Sequence, residues 1–274
     1  MKLAVIVTTY NRPDALAAVL DGYDAQRGHD FELIVADDGS TGETRRLVED
    51  RALSAPYPLR QVWHEDRGFR AAAIRNRALA ATRADYVIFT DGDCVPARDF
   101  VAQHRHLAEP GRFLAGNRVA LSAELTERVL REHLPIHAWR GWRWVGAWLT
   151  GEANRLWPLL ILPDGGFRKW RPQRWLGART CNLSAWRRDL LVVNGLDETF
   201  SGWGLEDSDL VIRLMHAGVM HKSARFATPM FHLWHREADR GKLAENQRLL
   251  DELIASRRTR APLGVDQYLE AVSK

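Results

Sequence analysis

Short apolar runs at 3–7, 33–36, 61–63, 86–89 and 113–115 alternate with stretches of helical spacing, and this alternation constrains the fold more than any other feature. Each run is bounded by turn residues and is almost continuously apolar, the pattern of a strand buried on both faces. Between the first two runs, Asn11-Arg12-Pro13-Asp14 opens a helix that Leu16, Val19, Leu20 and Tyr23 continue on one side. The spacing predicts another helix over 71–81, where Ile74 and Leu79 stand among alanines and arginines, and a polar helix around 239–258. Strands separated by helices imply an α/β fold with a mostly parallel central sheet flanked by helices. Ligands of such sheets bind beyond the carboxyl ends of the strands, so polar chemistry should follow the apolar runs. It does: Thr8-Thr9-Tyr10-Asn11-Arg12 follows the first, Asp37-Asp38-Gly39-Ser40 the second and Asp91-Gly92-Asp93 the fourth.

The length of 274 residues allows one substantial core, or two lobes sharing a sheet. The apolar run near the N-terminus spans five residues, 3–7. A secretory signal needs roughly 7–15 apolar residues and a membrane span about 20, so a cytoplasmic location is expected. Cys94 and Cys181 form neither a disulfide framework nor a zinc-type spacing, and both read as buried small residues. A net charge of +4 favours anionic partners such as phosphorylated donors or anionic membrane surfaces. No nucleic-acid-binding module is visible, and nucleic acid is not an expected partner.

Two carboxylates separated by a glycine at a strand end suit a hard divalent cation, and the glycine lets a phosphate approach the backbone. Such a cation neutralises a leaving diphosphate without any proton transfer. Asp-Gly also marks ordinary turns, so the tripeptide alone decides little.

Four elements together decide more: Thr8-Thr9-Tyr10-Asn11-Arg12, Asp37-Asp38-Gly39-Ser40, Gly68-Phe69-Arg70 with Arg75-Asn76, and Asp91-Gly92-Asp93. In order and rough spacing they resemble the family 2 glycosyltransferases, enzymes of the GT-A fold, over about residues 3–118. The resemblance implies a nucleotide-diphosphate sugar donor whose base lies near Thr9 and Asp37 or Asp38. Arg70 or Arg75 would lie near the diphosphate, and Asp91 and Asp93 near the ribose and the metal. Tyr10, Arg12 and Gly92 complete the implied donor set. Arginine fits such a role independently, because its planar fork matches phosphate oxygens.

Gly202-Trp203-Gly204-Leu205-Glu206-Asp207-Ser208-Asp209 forms a second cluster, and Leu210, Val211 and Leu214 suggest that a helix begins there. Three acids within four residues repel one another, which marks a helix N-terminus, a cation or a site. The segment resembles the Trp-Gly-x-Glu-Asp region of galactosyltransferase-type enzymes. That resemblance implies Asp207 as catalytic base, Glu206 gripping acceptor hydroxyls, Trp203 stacking on a sugar and inversion at the anomeric carbon. Gly177-Ala178-Arg179-Thr180-Cys181-Asn182-Leu183-Ser184 resembles the small-residue segment lining the donor sugar in the same superfamily, which places Asn182 near the sugar or the acceptor.

His232-Leu233-Trp234-His235 falls where the resembling families close the metal shell. The spacing lets both imidazoles face one ion on a bent segment, whereas on a strand they would point to opposite faces; one ligand is expected before two, His235 before His232. A mixed carboxylate and imidazole shell with Asp93 suits Mn²⁺ better than Mg²⁺ or Ca²⁺.

These readings divide the chain into a nucleotide-sugar-binding half at 1–118, a Trp- and Arg-rich helical insertion at 119–176, and an acceptor-binding and catalytic-base half at 177–274. The insertion holds seven of the eleven tryptophans. They either stack on sugar or sit at an anionic membrane surface, or they pack inward. The expected function is inverting transfer from a UDP-sugar or related donor to a hydroxyl of a surface glycan or lipid-linked glycan. The alternatives are a sugar-1-phosphate nucleotidyltransferase and a non-catalytic glycan- or nucleic-acid-binding module.

Overall fold

The computed structural model describes residues 1–236 and 239–269. The first half runs β1 (Leu3–Thr9), α1 (Pro13–Asp24), β2 (Glu32–Asp37), α2 (Gly42–Ala52), β3 (Leu59–Trp63), α3 (Ala71–Ala81), β4 (Tyr86–Asp91), β5 (Cys94–Pro96), α4 (Phe100–Leu107) and β6 (Arg112–Ala115). There follow β7 (Val119–Ala120), α5 (Ala123–Glu132) and α6 (Gly141–Leu149), with three short 3-10 turns within 136–169. The chain continues through β8 (Asn182–Trp186), α7 (Arg187–Val192), α8 (Glu206–His216), β9 (Met220–Ser223), β10 (Met230–His232), α9 (Leu243–Ser256) and α10 (Asp266–Leu269).

Seven strands form the large sheet in the order β3-β2-β1-β4-β8-β6-β9. β3, β2, β1 and β4 are mutually parallel, β8 runs against both β4 and β6, and β9 is parallel to β6. β8 is therefore the one reversed strand of this sheet, so the sheet is mostly parallel as expected. The alternation of faces is strict: Val5, Leu33, Val35, Tyr86 and Ile88 enter one core with α1, while Ile6, Ile34, Ala36, Val87 and Phe89 enter the other with α3 and α8. Burial on both faces is what makes these strands read as unbroken apolar runs. A smaller sheet, β5-β10-β7, joins residues after β4 to residues near the end of the chain.

The 119–176 stretch is less helical than its sequence suggested. α5 and α6 are its only α-helices among the described residues, and β7 ties it to β10. Its tryptophans divide between core and surface. Trp144 is buried and stacks on Phe231 at 4.1 Å between ring centroids, whereas Trp142, Trp157 and Trp170 are 69%, 70% and 80% exposed. No helix among the described residues is long and apolar enough to cross a membrane. Cys94 and Cys181 are both buried.

Candidate active site

A cleft of about 600 Å³ opens at the carboxyl ends of β1 and β4, where the strand order reverses. Its walls come from remote parts of the chain: Thr8 to Tyr10, Asp91 to Asp93, Trp175 to Cys181, Trp203 to Ser208 and His235. The acids at 91–93 and those at 206–207 thus border one opening. Arg75, on α3, joins them. Its guanidinium donates to Thr8 Oγ1 at 2.9 Å, to Asp91 Oδ1 at 3.0 Å and to Glu206 Oε1 at 3.2 Å, and lies 3.9 Å from Asp207 Oδ1. Burial works against the Arg75 charge, but Asp91, Asp207 and Glu206 together raise its pKa further above the usual arginine value.

The acids respond differently to the shared cation. Burial pushes the Asp91 carboxyl up, against the pull of Arg75. Glu206 is pushed up to about 7, first by burial and then by repulsion from Asp207. Asp207 Oδ1 accepts a 2.6 Å hydrogen bond from Thr180 Oγ1, and its second oxygen has no protein hydrogen bond among the described residues. Asp207 caps nothing: α8 starts at Glu206 behind Leu205, whose φ of 75° lies in the left-handed region, and no side chain caps the helix. Gly202 and Gly204 also have positive φ, and these turns bring Trp203 to the cleft wall, where Arg240 lies over its ring at 5.0 Å.

Asp93 sits between two imidazoles. Its Oδ2 lies 3.5 Å from His232 Nε2 and 3.2 Å from His235 Nε2. Burial would raise Asp93, yet the His232 hydrogen bond and the charges of both histidines hold it below the usual carboxylate range. Of the two arrangements open to these rings, the one in which they point to opposite faces is not seen. β10 ends at His232, so the alternation of the strand does not extend to His235, and the rings lie edge-to-face at 5.2 Å. Asp93, Cys94 and His232 bring one ligand atom each within 4.8 Å of one another, a grouping that could hold a metal ion, and a carboxylate beside imidazoles suits a first-row divalent cation. Cys94, whose thiol donates to Asp93 Oδ1 at 3.4 Å, is kept protonated chiefly by burial.

Several expected donor residues take other places. Thr9, Tyr10, Arg12, Asp38, Asp91 and Gly92 line the cleft. Asp37 does not; it is fully buried and braces its own loop by accepting from Ser40 N at 2.8 Å and Gln61 Nε2 at 2.6 Å. Asp38 is clasped by His64 Nε2 at 2.6 Å and by the Arg70 backbone N–H at 2.8 Å. Arg70 itself faces a separate depression with Trp63, His64 and Arg67. Asn182 is a correction: its side chain is buried and spent on Asn117 O, Thr228 O and His104, so it clamps three segments behind the cleft instead of lining it. The glycine of Asp91-Gly92-Asp93 also has a different reason. A Cβ there would stand 2.9 Å from Thr9 Cβ and Oγ1 and 3.1 Å from Thr8 O, so β1 itself forbids a side chain.

Sequence reasoning missed Arg118 and His64. Arg118, between β6 and β7, lines the cleft within the electrostatic reach of Asp91 and Asp93 and has no hydrogen bond or ion pair among the described residues. It belongs to no motif, so only its tertiary position reveals it. His64 announces itself only through Asp38, twenty-six positions earlier.

Comparison with known proteins agrees with this geometry. The glycosyl transferase family 2 profile matches residues 4–168, and the profile described as the N-terminal domain of galactosyltransferase matches 166–236. The validoxylamine A glucosyltransferase of Streptomyces hygroscopicus subsp. jinggangensis (strain 5008) is 30% identical over 226 residues, covering 79% of this chain and 52% of that protein. The hyaluronan synthase of Pasteurella multocida is 28% identical over 241 residues, covering 81% of this chain and 23% of that enzyme. The chain thus spans about half the length of the glucosyltransferase and less of the synthase. Among solved structures, S. aureus TarS 1–349 superposes with a TM-score of 0.61 at 18% identity, covering 98% of this chain and 69% of that one. The mannosyltransferase PcManGT from Pyrobaculum calidifontis, solved with GDP-Man and Mn²⁺, gives 0.57 at 20% identity, covering 99% and 68%. These neighbours share the fold. The extent of the profile match over the residues that build the cleft decides the family: the chain belongs to the family 2 glycosyltransferases, with a galactosyltransferase-type region toward its C-terminus.

Proposed function

We propose that the chain transfers a sugar, with inversion, from a nucleotide-diphosphate donor to an acceptor hydroxyl, and that Asp207 is the base. The observation that carries this reading is the Arg75 bridge, which sets the 206–207 acids beside the 91–93 acids in one cleft. Asp207 takes the proton from the acceptor hydroxyl as its oxygen attacks the anomeric carbon. The bond from that carbon to the diphosphate oxygen breaks on the opposite face, and the nucleotide leaves with the bonding pair. Thr180 fixes the Asp207 carboxylate through the 2.6 Å hydrogen bond, so that one oxygen is held and the other is available. Glu206 and Trp203, which line the same cleft, are assigned to the acceptor, since an aromatic face and a carboxyl suit a sugar ring and its hydroxyls.

Asp93, His232 and His235 would hold a divalent cation, Mn²⁺ by preference, and such an ion supplies positive charge for the departing diphosphate. Arg118 is assigned to the same diphosphate in place of Arg75, whose fork is already committed to protein carboxylates. TarS has been solved with UDP and with UDP-GlcNAc, which supports a UDP-sugar donor here; PcManGT with GDP-Man and Mn²⁺ supports the metal. A glycan or lipid-linked glycan is the proposed acceptor. Family membership favours this reading over nucleotidyl transfer or a non-catalytic binding module.

A screen of nucleotide-sugars for slow hydrolysis in the presence of Mn²⁺ tests the proposal without an acceptor. Release of nucleoside diphosphate from one of them, abolished in Asp93→Ala, is expected. Hydrolysis of none, together with no binding of UDP by calorimetry, would overturn the proposal.

A further inference from the structure

Behind the wall formed by Leu176, Gly177 and Ala178 lies a second cavity of about 190 Å³, which shares those three residues with the cleft. Arginines 168, 171, 174 and 225 line it, and among the described residues no Asp or Glu does. They are not equivalent. The Arg168 guanidinium is only 1% exposed and is consumed by the carbonyl oxygens of Leu162, Pro163, Ser223, Arg225 and Phe226, so it holds the backbone together. Arg171, Arg174 and Arg225 form no ion pair among the described residues, and only Arg174 is tied, by Nε to Leu176 O at 3.3 Å. Arg225 lies over the shared wall, with Nη2 3.6 Å from where a Gly177 Cβ would be. Its charge is disfavoured first by burial and then by Arg174, Arg155 and Arg171, and its pKa falls accordingly. Arg168 also has Asp164 Oδ1 at 3.8 Å, which leaves Arg171, Arg174 and Arg225 as three like charges without a carboxylate partner among the described residues; gathered at one pocket they raise the energy of the empty protein, and an anion would relieve it.

We propose that this pocket is an anion subsite for a phosphate group carried by the acceptor, held by Arg171, Arg174 and Arg225 while the acceptor hydroxyl enters the neighbouring cleft. Placing the phosphate on the acceptor rests on the glycosyl-transfer reading; the anion subsite itself does not. The choice of phosphate follows from charge and shape. A phosphate monoester carries about −1.5 to −2 charges at neutral pH and three acceptor oxygens, whereas a carboxylate offers one charge and two. Three guanidinium forks are better answered by the former.

Inorganic phosphate titrated calorimetrically into the full chain tests the site, first alone and then with UDP and Mg²⁺ filling the donor side. Wild type is expected to bind phosphate saturably in both conditions. The Arg171→Gln/Arg225→Gln variant should bind it at least tenfold more weakly, with UDP affinity unchanged. Arg171→Gln alone, an exposed position, should lose part of the affinity and guards against a folding defect in the double variant. Absence of saturable phosphate binding by wild type, equal binding by the double variant, or acetate binding as tight as phosphate would overturn the proposal. Failure of UDP alone to bind would count against the glycosyl-transfer reading, while the phosphate comparison without UDP would still decide the subsite. Cosedimentation with phosphatidylcholine vesicles containing phosphatidic acid, lost in the double variant, would assign the phosphate to a lipid; binding of soluble phosphate without cosedimentation would assign it to a soluble acceptor.

Discussion

Arg75 Nη1 donates to Glu206 Oε1 at 3.2 Å across 131 positions of sequence, and the same guanidinium holds Asp91. Arg75 is 5% exposed, so removing it leaves the buried Glu206 and the half-buried Asp91 and Asp207 facing one another. Breaking such a buried pair costs about 3–5 kcal/mol. Arg75→Ala is expected to lose stability of that order in urea denaturation. Arg75→Lys should recover only part, because an ammonium cannot span two carboxylates as a fork does. A loss in Arg75→Ala within about 0.5 kcal/mol, typical of surface positions, would show that the bridge is dispensable.

Asp207→Asn keeps the shape and the partner Thr180 but cannot accept a proton. Turnover should fall by about 10²–10⁴, the usual contribution of a positioned base, with UDP affinity unchanged. Wild-type turnover in this variant would place the base elsewhere.

The two imidazoles facing Asp93 make separate demands on a metal. In a thermal shift assay, UDP and Mn²⁺ together should stabilise the protein more than the sum of each alone. Asp93→Ala should abolish that synergy. His232→Ala and His235→Ala should each weaken it; if one leaves it intact, that histidine is not a ligand.

Glu206 yields a pH dependence of stability. Its folded pKa, pushed up to about 7, lies above the ordinary glutamate value of about 4.3, so between these limits the folded state binds more protons than the unfolded state. Its contribution is therefore most favourable below the lower value and is lost as pH rises through the upper one. The stability difference between wild type and Glu206→Gln should shift against wild type from pH 4.5 to 7 and level off above. A difference constant with pH would mean that Glu206 titrates normally.

Gly92→Ala puts a methyl group 2.9 Å from Thr9. Overpacking of this kind costs about 1–3 kcal/mol, and the displaced strand ends carry the cleft acids, so both melting temperature and donor binding should fall. Unchanged melting and binding would show that β1 yields without cost.

The long strands and the site acids were legible because each is a local pattern. Residues 71–81 were expected to be a helix and are one, and the apolar runs at 3–7 and 86–89 extend by two residues into β1 and β4. β5, β7 and β9 left no trace, since strands of two to four residues have no periodicity to read and their partners are far away, as His232 is from Cys94. The acids at 91–93 and 206–207 could be nominated from sequence, but the cation joining them could not. Nothing near Arg75 says that it is buried, and nothing near Asn182 says that four hydrogen-bonding groups will use up its amide.

The reversed strand has a consequence for how the molecule is made. β8 lies between β4 and β6, so β6 leaves the ribosome some seventy residues before the neighbour that links it to the rest of the large sheet. During that interval β6 has an unpaired edge, and its other neighbour, β9, is made later still. The nascent chain can therefore close a four-stranded platform early, whereas β6 joins it only once β8 has been made and has entered between two strands already present.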